Sequence, residues 1–260
     1  MRVWEQIKEI YLYREMLRNL VSKEIRARYK ASVLGFLWTF VNPLLTLVVY
    51  SFVFSVVMKS GIQHFSMFLF VALLPWNYLS MSIIQGTTSL VQNVSLVKKI
   101  YFPRAILPLS LVLANMINYL LGLIILIPAL AIFHVRFTVA LVAFPVVLIV
   151  ETLLVTSLTL IVAVGNVYFR DLEHIIGIFV MLWFFMTPIV YSIDTLSANL
   201  RNIFNFNPAV PIIEAYRAIF FYGKWPDWVT LGWLALGLVL LLMVCWFAFM
   251  RLQRDVAEEI

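Results

Sequence analysis

The sequence predicts an all-α integral membrane protein. It reads as six transmembrane helices, an N-terminal amphipathic helix at the membrane interface, and an extracellular re-entrant helical hairpin before the last span. Three observations predict this. Seven stretches (31–58, 60–97, 105–135, 137–150, 152–169, 175–193 and 228–250) contain no Asp, Glu, Lys or Arg. Hydrophobic residues make up 63% of the 260-residue chain and charged residues 12%, against about 25% charged in a soluble domain. The basic residues are also segregated along the chain. A helix needs about 20 apolar residues to cross the hydrocarbon core, and backbone amides left unpaired in lipid force such runs to be helical.

Residues 3–29 repeat apolar side chains every three or four positions. Trp4, Ile7, Ile10, Tyr13, Leu17, Val21 and Ile25 line one side, and Lys8, Glu9, Arg14, Glu15, Arg18 and Lys23 lie largely elsewhere. That pattern fits a helix in the membrane interface, and equally one docked on a partner protein. The spans follow near 34–57, 66–88, 106–132, 139–164, 175–193 and 228–250. The fourth rests on reading 137–169, which Glu151 divides, as one long or tilted helix, because two crossings and a turn do not fit there. An even count puts both termini on one side. With six spans that side holds fourteen of the nineteen Lys and Arg residues, so the positive-inside rule makes it cytoplasmic.

Between the last two spans, residues 194–227 are unusually apolar for a loop. The pieces Ile203–Ile213 and Ala215–Tyr222, interrupted by Pro208 and Pro211, are too short to cross and suggest two short helices dipping into the outer leaflet. The chain then divides into a cytoplasmic amphipathic helix and gate (1–32), spans one to five (33–193), the extracellular hairpin (194–227), the last span (228–250) and a cytoplasmic tail (251–260), all in one domain. No cleaved signal peptide is expected, since the first apolar run starts only at residue 31.

Catalytic chemistry is hard to find. His64, His134 and His174 stand singly in three different loops, and neither a zinc-protease helix nor a nucleophile elbow occurs. Gly232 and Gly237 have the glycine spacing of a phosphate-binding loop, but Leu238 and Val239 stand where Lys and Ser or Thr are needed. No acidic cluster has metal-ligand spacing, so no metal site is expected. Cys245, the single cysteine, reads as a small buried hydrophobe.

Glu151 is the only charge at bilayer depth. It is either a functional carboxyl or a hydrogen-bonded group facing the bundle interior, and the second reading is favoured. The chain has 21 Phe, 11 Tyr and 8 Trp. Many Trp and Tyr near span ends, Trp76 and Tyr78 included, fit interface anchors. Phe36, Trp38 and Phe40, with Asn42, sit in the cytoplasmic third of the first span, where aromatic faces suit stacking on sugar rings or packing against lipid. Two short segments, Val97–Arg104 and Asn166–Glu173, mix charge with aromatics read as exposed, the make-up of a protein contact surface. Arg26, Arg28 and Lys30 place three cations within five residues at the inner interface, which suits an anionic head group or ordinary snorkelling.

An ordered set of motifs resembles the ABC transporter permeases that export polysaccharides. They are Arg28-Tyr29-Lys30, Leu34-Gly35-Phe36-Leu37-Trp38, Asn42-Pro43-Leu44, Leu74-Pro75-Trp76-Asn77, Leu96 to Arg104, Tyr168-Phe169-Arg170-Asp171-Leu172, Thr187 to Tyr191, and Asn207-Pro208 with Glu214-Ala215-Tyr216-Arg217. That family includes O-antigen and wall teichoic acid exporters. The resemblance implies a subunit of the bacterial plasma membrane that pairs with a second copy of itself and with two ATP-binding-cassette subunits. ATP and Mg would sit on those partners, with no cofactor on this chain and no nucleic acid bound.

The cargo implied is a polysaccharide on an undecaprenyl-diphosphate carrier. Arg26, Arg28 and Lys30 would meet the diphosphate. Phe36, Trp38, Phe40, Asn42, Trp76 and Tyr78 would line the channel. Lys98, Lys99, Tyr101, Phe102, Arg104, Arg170 and Asp171 would touch the ATPase, and Pro208, Glu214, Tyr216 and Arg217 would form the outer gate. Two rival readings stay open: a proton-coupled flippase that uses Glu151, and a membrane transferase acting on a polyprenyl-linked sugar.

Overall fold

The computed structural model of the chain describes residues 3–28, 32, 34–53, 64–133, 135, 138–193, 197–204 and 206–253. Within these the fold is all-helical, with no strand. The amphipathic segment forms two helices, α1 (Val3–Leu12) and α2 (Arg14–Ala27), rather than one. The break is at Tyr13, whose backbone (φ −89°, ψ 19°) leaves the helical region. The apolar line finds a partner within the chain. Ile10, Tyr13 and Leu17 pack against a cluster formed by Leu90, Phe102, Ile106 and Phe249, and α2 lies along α6.

A 3₁₀ turn at Gly35–Leu37 leads into α3 (Trp38–Ser51), which carries Pro43. Next come α4 (Phe65–Gln92), the short α5 (Val94–Lys99) and α6 (Ile106–Ile132). A second 3₁₀ turn, Val139–Ala143, runs into α7 (Phe144–Tyr168). The expected third span coincides with α6, and α4 and α7 extend past the expected ends of theirs.

Among the described residues four units are long and apolar enough to cross a membrane: α4, α6, Val139–Tyr168 and α11 (Trp228–Leu252). The helices α3 and α8 (Leu172–Phe185) are apolar but shorter. Helix α8 stops before the expected end at 193 because residues 186–191 turn, around Pro188, which has no N–H to continue the ladder.

The segment after α8 folds as α9 (Ala198–Phe204) and α10 (Ala209–Phe220). The expected pieces were displaced. The break falls at Asn207-Pro208 rather than near residue 214, since the Asn207 side chain accepts from the Ala209 N–H (3.0 Å) and Pro208 occupies the N-cap. Pro211 sits in the first turn of α10, where proline is tolerated. Gly223 (φ 62°) takes the left-handed conformation that lets the chain leave α10. Asp227 then caps α11, accepting from the N–H groups of Val229 and Thr230.

Helix α4 is the axis of the bundle, nearly all buried, with α6, α7, α8, α10 and α3 around it. Its approach to α7 depends on Gly86, where an added Cβ would stand 2.2 Å from Thr159 Cγ2. Close helix contact at a small residue is how apolar helices associate without a hydrophobic drive between them. Helix α11, by contrast, packs mainly on α7 and turns apolar side chains such as Trp233 and Phe247 outward.

Candidate functional site

At the end of the bundle that carries α1 and the last turn of α11, the segment Val97–Arg104 lines a groove together with Gln6, Glu9, Met250 and Gln253. Its volume is about 570 Å³. Asn93 sets its course: the Asn93 amide donates to the Ser89 carbonyl (2.9 Å) where α4 gives way to α5. After Lys99 the chain becomes extended at Ile100. Tyr101 is 79% exposed, whereas Phe102 is 5% exposed and inserts into the apolar cluster under the loop. The sequence reading of Phe102 as an exposed aromatic is therefore corrected. It anchors the segment, and Tyr101 is the aromatic presented outward. The loop must stay extended to place Phe102 inward, and successive side chains of an extended segment point to opposite faces.

The groove is closed by hydrogen bonds from four elements. The Tyr13 hydroxyl donates to the Tyr101 carbonyl (3.2 Å), and the Tyr101 hydroxyl donates to Glu9 (3.3 Å). The neighbouring Glu9 carboxylate holds the Tyr101 phenol above its ordinary pKa, because a phenolate beside it would be repelled. Trp246 of α11 donates to Gln6 of α1 (3.0 Å). Arg104 donates to the Gln253 carbonyl and Tyr168 to the Leu252 carbonyl (2.7 Å), so the turn before α6 and the end of α7 satisfy carbonyls at the end of α11.

Lys98 and Lys99 are exposed beside the groove, and Arg170 and Asp171 are exposed at the turn between α7 and α8. Motif reading could not single out Gln6, Glu9, Trp246 or Gln253, because their part comes from distant pairing. Tyr13 and Tyr168 were visible only as members of an apolar line and a short motif.

A second, smaller cavity of about 150 Å³ lies between α3, α4 and α6. Here the structure brings together residues that sequence reading assigned to two roles: Arg28 with Trp38, Asn42 and Tyr78. The Arg28 guanidinium donates to Gln85 (2.9 Å) and to Asn115 (2.5 Å), and the Asn115 amide donates to Gln85 (3.2 Å). Gln85, Asn115 and Asn118 carried no motif.

Trp76 is elsewhere, edge-on to Trp183 and Phe184 (5.8 and 5.7 Å between centroids). Phe40 is half-buried on α3 and does not line the cavity, and Arg26 is exposed on α2. Lys30 and the side chain of Phe36 lie outside what the structure describes.

Glu151 is buried in α7, and the Tyr216 hydroxyl of α10 donates to it at 2.6 Å. Tyr119 of α6 stands edge-on to Tyr216 (5.9 Å between ring centroids, 77° between planes). Tyr78 stacks on Tyr119 (6.0 Å, 3° between planes) and donates to Thr152 (3.2 Å). The residues expected at an outer gate divide. Tyr216 and Arg217 are fully buried, while Pro208 and Glu214 are half-buried. Arg217 donates to Glu214 (2.8 Å) and to the Ile189 carbonyl (2.8 Å), and lies 3.6 Å from the centre of the Phe68 ring. A buried Arg needs such partners, although its Nε makes no hydrogen bond. Among the described residues no group of three His, Cys, Asp or Glu could hold a metal.

Four helices long and apolar enough to cross a membrane, among the described residues, are the make-up of a multi-pass membrane protein. Residues 15–221 match the ABC-2 type transporter family, and the chain belongs to that family. It is 38% identical, over 98% of both chains, to an O-antigen export system permease protein of Myxococcus xanthus. It is 32% and 31% identical to two O-antigen export system permease proteins of Klebsiella pneumoniae, over 82% of each chain.

Proposed function

We propose that this chain is the permease subunit of an exporter that carries a lipid-linked polysaccharide of the O-antigen type across the plasma membrane, driven by ATP hydrolysed on a separate subunit. The observation that carries this reading is the likeness to the Myxococcus xanthus permease along 98% of both chains.

Two copies of the chain enclose the path, and two ATP-binding-cassette subunits sit beneath them. In this reading α3 and α8 complete six crossings with the four long helices, both termini are cytoplasmic, and the α9–α10 hairpin is re-entrant at the outer face. The groove faces the cytoplasm and receives the ATPase. Its basic rim at Lys98 and Lys99 and the exposed Tyr101 supply the charge and aromatic character of a contact surface. Arg28 meets the carrier's diphosphate. The hydrogen bond from Tyr216 supports a packing role for Glu151, joining α10 to α7.

The test is gentle purification of the chain from its native membrane with an ATPase assay. An ATP-binding chain in equal amount, with hydrolysis that requires the intact complex, is the expected outcome. A chain that emerges alone from several mild detergents removes the reading.

A further inference from the structure

We propose that the outward face of α2 is a docking surface for the head groups of anionic phospholipids. Arg14, Arg18, Lys23 and Arg26 contact the lipid phosphates, and Tyr11 and Leu12 enter the leaflet beside them. The inference rests on the orientation proposed above, which puts the start of α2 at the cytoplasmic side. It adds a partner that the export reading does not require.

The apolar line of this segment suits a helix that offers its apolar side to the membrane, and the structure reverses that arrangement. Met16, Leu17 and Leu20 pack against the cluster that includes Ile106 and Phe249, and Val21 is buried. The apolar side is thus spent inside the chain. At about 3.6 residues per turn the opposite side of α2 carries Arg14, Glu15, Arg18, Asn19, Lys23 and Arg26, all exposed. Four cations share that face with a single carboxylate, Glu15. Among the described residues no carboxylate forms an ion pair with any of the four.

Contacts at the two ends of α2 give the depth of this face. Tyr13, just before α2, bonds to the Tyr101 carbonyl ahead of α6. Arg28, just after α2, reaches Asn115 in the third turn of α6, about 14 Å from the start of that helix at 1.5 Å per residue. The two helices therefore run side by side in the same direction. Because α6 is long and apolar enough to cross the membrane, α2 stands within the inner leaflet. Helix side chains lean toward the N-terminus, here the cytoplasmic side. The cations so reach back to the head-group layer while their stems cover apolar surface. Tyr11 and Leu12, 68% and 74% exposed, lie at that end, and the Arg14 guanidinium stands over the Tyr11 ring at 4.9 Å. An exposed Tyr and Leu beside clustered cations are the make-up of an interfacial anchor.

Charge selects the occupant. The cytoplasmic leaflet is negatively charged and attracts basic segments at its surface, and a guanidinium fork matches phosphate oxygens. A second copy brought up by the same face would set like charges against each other. The face is also distinct from the sites already described, since none of its residues lines the groove or the small cavity that holds Arg28.

Energy transfer tests this on the full-length chain reconstituted in vesicles that contain no polyprenyl carrier. A donor dye sits at Asn19→Cys in a Cys245→Ser background. The acceptor is carried on an acyl chain of either phosphatidylglycerol or phosphatidylcholine at equal mole fraction. Transfer to phosphatidylglycerol should be about twofold the greater or more, and a control donor at Val244→Cys on α11 should show no such preference. Neutralising the face with Arg14→Gln, Arg18→Gln, Lys23→Gln and Arg26→Gln together should abolish the preference, whereas Arg14→Lys, Arg18→Lys and Arg26→Lys together should keep it. Equal transfer to both lipids from position 19, or a preference that survives neutralisation, overturns the proposal. So does loss of transfer to both lipids once the ATP-binding partner is bound, which would assign the face to that protein. A thiol reagent that cannot cross membranes separates the two levels. Reaction at position 19 from outside intact cells removes the orientation on which the export reading stands. Reaction from the cytoplasmic side alone, without a lipid preference, removes only the docking surface.

Discussion

Glu151 and Tyr216 show how one hydroxyl can decide the role of an intramembrane carboxyl. At 2.6 Å the phenol donates to a group that would otherwise have no polar partner among the apolar side chains of α7. Removing a donor from a buried polar group costs about 1–3 kcal/mol, more when the group is charged. Tyr216→Phe should therefore lower the thermal midpoint of the detergent-solubilised protein. Glu151→Gln keeps an acceptor for Tyr216 and should preserve both the midpoint and export of polymer to the cell surface. Loss of export in Glu151→Gln with an unchanged midpoint would instead favour proton coupling through this carboxyl. Sequence reading found Glu151 because a charge in an apolar run is conspicuous. Its partner could not be found the same way, since one tyrosine among eleven gives no sign of which helix it will meet.

At the scale of elements, the segment after α5 is built as an anchor and a display. Phe102 lies in the apolar cluster with Leu90, Ile106 and Phe249, and Tyr101 beside it faces out. Truncating a buried Phe to Ala costs about 3–5 kcal/mol, here concentrated on a short loop. Phe102→Ala should raise hydrogen exchange across 97–104. Tyr101→Ala should leave exchange low and weaken recovery of the ATP-binding partner. If Phe102→Ala left exchange unaltered, the anchoring role would be wrong. The motif that drew attention to 97–104 was legible in the sequence. Which of its two aromatics turned inward was not, because that depends on Phe249, more than a hundred residues away.

For the whole molecule, charge-free runs located the long helices to within a few residues, since lipid permits few alternatives to a helix. Where local turns and caps decide, the reading was poorer. The kink at Tyr13, the early end of α8 and the break before α10 each follow from local turns or caps that hydropathy does not register. The small cavity was half legible: Arg28, Trp38, Asn42 and Tyr78 were picked out separately, while Thr39, Asn115 and Asn118 passed as ordinary polar residues in apolar helices. One further consequence concerns α11. It is reached through residues 223–227, which are neither helix nor turn, and it lies mainly along α7. Its first turn is capped by its own Asp227, and its far end is held by Arg104 and Tyr168 from elsewhere in the chain. A helix with its own cap, seated by its far end and one flank, does not need the peptide bond that delivers it. Two co-expressed pieces, 1–223 and 226–260, should find each other in the membrane and co-purify. That would make this loop the natural place for a permanent nick or an inserted reporter, and failure of the pieces to associate would show that the covalent link is what seats the helix.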